Sequence, residues 1–145
     1  MSENDNNFTA RMNDEDKIAF LKVLSVLAKS DHHFDDDQKE KIQDTALIFG
    51  ISAERIPEIL QEESQEKVLQ RVSQIKNRHV ALALIREMCF LANSDRDLSD
   101  EEVMFIGKVG EAMGVELEKI EQISQWVIAR IILEEEGHLI FEENI

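Results

Sequence analysis

One proline, five glycines and no tyrosine stand in 145 residues, so few positions oblige the chain to break a helix or enter a left-handed turn. Strict apolar–polar alternation is scarce as well, which argues against an extensive two-faced sheet. A single cysteine excludes an internal disulfide framework, and the sequence predicts a cytoplasmic location. No apolar run reaches the roughly 20 residues that a membrane-spanning helix needs, so no membrane insertion is expected. The opening MSENDNNFTARMNDED is polar and acidic where a secretory signal is basic and then apolar, so no leader is expected either. Basic residues are the last shortage. Sixteen Lys and Arg face 31 Asp and Glu, for a formal net charge of −15. That charge repels phosphates and no Lys/Arg stripe offsets it, which argues against nucleic acid and favours a protein partner with a basic surface.

What the chain does have is helical periodicity and 43% apolar residues, enough for a core. Residues 15–30 carry Ile18, Leu21, Leu24, Val26, Leu27 and Ala28, too many for a narrow stripe, so this helix should be largely buried, with Asp14 as its cap. A second helix, about 36–49, is expected to start after Asp35, with Gln38 three residues on, and to stop at Gly50. A short helix near 53–62 contains Pro57, which must either sit in its first turn or break it. Ser64 opens an amphipathic helix over 65–76, and 78–94 is the most apolar segment. Ser99 and Glu102 form a capping-box pattern for 99–113, which ends at Gly114, and a last helix is expected over 116–135. The sequence therefore predicts an all-α, single compact domain of about seven helices over 14–136. An acidic flexible N-terminus over 1–13 and a tail over 137–145 flank it.

Sliding the chain on itself by 64 residues aligns 18–60 with 82–124 without a gap. Eleven of the 43 positions are identical: Ala19/Ala83, Leu27/Leu91, Ala28/Ala92, Ser30/Ser94, Asp31/Asp95, Asp36/Asp100, Ile42/Ile106, Gly50/Gly114, Glu54/Glu118, Ile56/Ile120 and Ile59/Ile123. They fall at helix interiors, at a turn, at a cap and at helix-ending glycines. The pattern predicts two copies of a helix–acidic turn–helix–Gly–helix unit joined by the helix at 65–76.

The repeated turn reads SDHHFDDDQ at 30–38 and SDRDLSDEE at 94–102. Alternating acids suggest a calcium loop, but an EF-hand needs Gly at its sixth position and Glu at its twelfth. Here those positions are Asp36 and Ile42 in one copy, and Asp100 and Ile106 in the other. The EF-hand is excluded.

The apolar helix followed by LAKSDHHFDDDQ or LANSDRDLSDEE, with Ile42 or Ile106 and a Gly50-Ile or Gly114-Val exit, resembles the TerB-like family over about 15–135. This is the tellurite-resistance module, whose fold is shared by the N-terminal region of a membrane-anchored DnaJ-type co-chaperone. The resemblance implies an internally duplicated, non-enzymatic, all-helical domain tied to stress response, with metal binding through repeated acidic residues. Asp31 and Asp95 match the family's acidic position, each seven residues before a Glu that is Glu102 in the second copy and Gln38 in the first. His32 and Arg96 replace the glycine that follows the Asp in the family pattern. The implied site is a divalent cation (calcium, magnesium or zinc) held by Asp31, Asp95 and Glu102, with His33, Asp35 and Gln38 as auxiliaries. The histidines would favour zinc.

Two plainer readings stand beside this one. Aspartates at helix starts cap orphan N–H groups and suit the positive end of the helix dipole, so Asp31, Asp35, Asp95 and Ser99 need no ligand to justify them. An acidic adaptor without metal is the alternative function. Leu139, Ile140 and Phe141 among the final glutamates are expected to pack back on the body; the alternative is docking, including a homodimer through the C-terminal helix or tail. No Gly-rich phosphate loop, HExxH or nucleophile elbow is present, and Cys89 sits in an apolar run as a small hydrophobe, so no enzyme is expected. Trp126, Met88, Met104 and Met113 are read as core.

Overall fold

The computed structural model describes residues 10–30, 36–93 and 99–142. Seven α-helices are found there, and no strand among the described residues: α1 (Asp14–Ser30), α2 (Asp36–Ile48), α3 (Ile56–Leu60), α4 (Gln65–Val72), α5 (Arg78–Ala92), α6 (Asp100–Ala112) and α7 (Leu117–Phe141). A 3-10 turn, Ala53–Arg55, leads into α3, where Pro57 occupies the first turn and forfeits no helical hydrogen bond. None of the described helices is long and apolar enough to cross a membrane.

The helices begin where side chains can accept from their first N–H groups. Ser64 accepts from Lys67 N at 3.2 Å to start α4, and Asn77 accepts from Val80 N at 3.2 Å to start α5. The cap of α1 is Asn13, whose Oδ1 accepts from Asp16 N at 2.8 Å; Asp14, expected in that role, is the first helical residue. Helix α4 also closes at Val72, four residues before the expected end.

Helix α1 is the centre of the fold, in contact with α2, α3, α4, α5 and α6. Its Ile18, Phe20, Leu21, Val23 and Leu27 are fully buried, and Phe20 meets Phe49 edge-on with ring centroids 5.4 Å apart. Each such side chain contributes about 1.5–3 kcal/mol through removal from water. Helix α5 supplies Leu84, Ile85 and Met88 to the same core and carries α7 on its other flank.

The 64-residue offset recurs in the backbone. Gly50 N donates to Leu47 O and Ile51 N to Ala46 O, both at 3.0 Å. Shifted by 64, Gly114 N donates to Glu111 O at 3.0 Å and Val115 N to Gly110 O at 2.8 Å. Both glycines take a left-handed φ, +81° and +76°, which a side chain would resist. Arg55 N to Ser52 O and Lys119 N to Glu116 O, each 3.0 Å, continue the match. The match ends there. The helix α3 stops after Leu60, whereas α7 runs for 25 residues.

That last helix passes the expected end near 135 and continues through Gly137 to Phe141. Leu139, Ile140 and Phe141 do not pack back on the body; Phe141 is 86% exposed. Only Ile120 and Val127 of α7 are buried, because α7 rests chiefly on α5 and α6. Trp126 and Met104 are likewise on the surface, while Met88 is core.

Candidate functional site

Of the six residues read as a cation site, Asp31, His33, Asp35 and Asp95 lie outside the described residues, and so does the side chain of Gln38 on α2. Glu102 is described, on the first turn of α6. Its carboxylate is 1% exposed. One oxygen, Oε1, accepts from Ser99 N at 3.0 Å, while Ser99 Oγ accepts from Glu102 N at 3.1 Å. This is the reciprocal capping box that the Ser99–Glu102 spacing predicts, and it fixes the side chain. The other oxygen, Oε2, has no hydrogen-bond or ion-pair partner among the described residues.

A buried carboxylate is an acceptor with about four lone-pair sites, so one hydrogen bond leaves most of its capacity unused. Burial without compensation is costly for such a group. The positive end of the α6 dipole, whose first turn also carries Asp100 and Glu101, offsets part of that cost. Helix α6 also touches α1, the helix that leads into the first acidic turn. Among the described residues, no group of three or more His, Cys, Asp or Glu side chains converges.

Cys89 offers no second chemistry. It is buried on α5, and burial pushes its thiol up to about 11, with a hydrogen bond to Ser124 pulling the other way. A thiol so protonated at neutral pH is a poor nucleophile. His79 is exposed in the first turn of α5.

Sequence reasoning passed over a second polar cluster. Lys22, in the middle of apolar α1, is 2% exposed, and its ammonium lies 3.6 Å from Glu63 Oε2 and donates to Gln61 O at 3.3 Å. Arg71 clamps the same Glu63 with two bonds of 2.7 Å. Those bonds, chiefly, hold the Glu63 carboxyl below its ordinary range, and burial lowers Lys22 despite Glu63. The available signal was a lysine on the same face of the helix as the apolar Ile18, Ala19 and Val26.

In comparison with known proteins, the chain matches no family model, no curated protein and no solved structure.

Proposed function

We propose that this chain is a non-enzymatic, internally duplicated TerB-like module of stress response, related to tellurite resistance. It binds a divalent cation through its acidic inter-helix turns, with Asp31, Asp95 and Glu102 as principal ligands and His33, Asp35 and Gln38 as auxiliaries. The observation that carries this reading is Glu102: a carboxylate 1% exposed, pinned through one oxygen, with the other oxygen unpartnered among the described residues. A hard cation supplies what that oxygen lacks, since calcium and magnesium take carboxylate oxygens at about 2.0–2.6 Å. The 64-residue recurrence of turn hydrogen bonds supports the duplication and hence a matching ligand from each unit.

Calorimetric titration of the metal-stripped protein with calcium, magnesium, manganese and zinc tests it. One saturable event near one ion per chain, weakened about tenfold or more in Glu102→Gln and in Asp95→Asn, is expected. Heat without saturation, or equal affinity in both variants, overturns it.

A metal-free adaptor is favoured by one observation of its own. The end of α7 presents Leu139, Ile140 and Phe141 to solvent beside Glu134, Glu136 and Glu142. In that reading the glutamates steer a basic partner and the apolar residues supply affinity. Salt-sensitive association lost in Ile140→Ser/Phe141→Ser, with no ion bound, would establish it.

A further inference from the structure

Helix α7 is apolar on two sides and covered on one. Ile120 and Val127 are buried on the side that meets α5 and α6. With 3.6 residues per turn, Trp126, Ile128, Ile132, Leu133, Leu139 and Ile140 fall within an arc of roughly 160° on the opposite side. All six are exposed, from 39% at Ile128 to 80% at Leu139. A contiguous apolar face of this kind, turned away from the core, marks a surface that another molecule covers.

The order of residues along the face says which molecule. Leu133 is the midpoint of an inverted pattern. Trp126 and Ile140 stand equally far before and after it, as do Ala129 and Gly137, and Arg130 and Glu136. Ile128 and Leu139 are within one residue of the same symmetry. Two copies of α7 laid antiparallel about a two-fold axis at Leu133 therefore set apolar residues level with apolar ones: Leu133 with its own counterpart, Trp126 with Ile140, and Ile128 with Leu139. The small residues meet too, Ala129 of one copy level with Gly137 of the other. Gly137 stays helical, although glycine is a poor helix former, and a Cβ added there would meet nothing within 4 Å in its own chain. Close approach of a second helix makes use of that missing side chain.

Charge selects the antiparallel sense. Glu136 is the one charged residue of the arc between Trp126 and Ile140, and it has no ion-pair partner among the described residues. A parallel pair sets Glu136 against Glu136 within an apolar seam, which like charges oppose. The antiparallel pair sets it level with Arg130, whose Nε donates to Glu134 at 3.2 Å and whose terminal nitrogens keep further donors. The face runs from 126 to 140, about 21 Å. At roughly 60–120 Å² of apolar area for each large side chain, it offers several hundred Å² per copy. That is the lower end of specific interfaces, about 600 Å² per partner, so micromolar self-association is expected.

We infer that two copies of this chain pair through α7, antiparallel, about a two-fold axis at Leu133. The same patch serves both copies, so the assembly closes at two. Each body carries a net charge of −15, so the dimer tightens as salt rises. A basic partner on the same helix has the opposite salt dependence. The acidic turns lie outside the pairing, so cation binding and dimerisation can each hold without the other.

Sedimentation equilibrium of the full chain up to about 0.5 mM, at about 0.05 M and 0.5 M salt, measures the pairing. A species of twice 16.7 kDa is expected, at least about fivefold tighter in the higher salt. Leu133→Glu places two carboxylates on the axis and weakens pairing about 100-fold or more. Its circular dichroism stays that of the native chain, because Leu133 is 67% exposed. Oxidative cross-linking reads the register: Leu133→Cys forms a disulfide-linked dimer, whereas Trp126→Cys does not, its two copies standing about 21 Å apart. The native Cys89 is buried and does not compete. A chain that stays monomeric in both salts, a dimer that loosens as salt rises, or Leu133→Glu pairing as tightly as native overturns the inference. So does Trp126→Cys cross-linking as fast as Leu133→Cys.

Discussion

Changing Glu63 to Gln removes one charge from a network that is out of water on its lysine side. Lys22 is 2% exposed and Glu63 15%. Removing one partner of a fully buried pair costs about 3–5 kcal/mol, because the other charge stays behind. Two features reduce that figure here: the Gln61 carbonyl still accepts from Lys22 at 3.3 Å, and Glu63 stands at the rim of a cavity. The amide also keeps one acceptor for Arg71, but at neutral rather than charge-assisted strength. A loss of about 2 kcal/mol follows, or about 6 °C in melting temperature for a chain of this size. Restoring balance by also changing Lys22 to Met should recover most of it, since an apolar replacement of a buried pair is often neutral. The pH profile carries a sign of its own. The Glu63 carboxyl is held low in the fold, chiefly by Arg71, so its contribution is complete above the unfolded pKa of about 4.3 and fades as pH falls through the lowered folded value. Lys22 runs the other way: burial lowers its folded pKa, so stability rises as pH climbs from that value toward about 10.4. Urea denaturation of the four chains of the cycle between pH 3 and 10.5 measures all of this. A Glu63→Gln chain within about 0.5 kcal/mol of native, or a double variant no more stable than Glu63→Gln, refutes the reasoning.

Four further outcomes follow from the same geometry. Gly50→Ala and Gly114→Ala should each lose about 1–2 kcal/mol, because φ of +81° and +76° places a side chain in the left-handed region. Gly107→Ala, inside α6 with nothing within 4 Å of an added Cβ, should gain about 0.5–1 kcal/mol by thermal melting. Cys89 should resist a thiol reagent at pH 8 in the folded chain and react fully once urea exposes it, as its thiol is pushed up to about 11. The double change Ile140→Ser/Phe141→Ser should leave the melting temperature of the monomer within about 1 °C, since both side chains already face solvent.

Helix starts and stops were legible because each rests on a local exchange of hydrogen bonds. Ser64, the Ser99–Glu102 box and the two left-handed glycines stand where short-range chemistry requires them. Asn13 and Asp14 are both good caps, and only the fold decides which of two neighbours turns its side chain back. The last helix outran its expected end near 135 for a different reason: a glycine ends a helix by adopting positive φ, and Gly137 stays helical, carrying α7 on to Phe141. Trp126 reads as core from its apolar neighbours, yet α7 is covered on one side only, and the ring lies on the flank against Phe90 and Arg130. Long-range features were not legible. The Lys22–Glu63–Arg71 cluster joins residues up to 49 positions apart, beyond the reach of any local pattern.

Manganese titration of the full chain, read by amide NMR, tests the cation site most directly, because the paramagnetic ion broadens only what lies near it. Substoichiometric manganese is expected to broaden 30–38 and 94–102 together, including Ser99 and Glu102, before any other acidic stretch, with Glu102→Gln removing that selectivity. Broadening of one turn without the other, or first at the glutamates of α7, contradicts it.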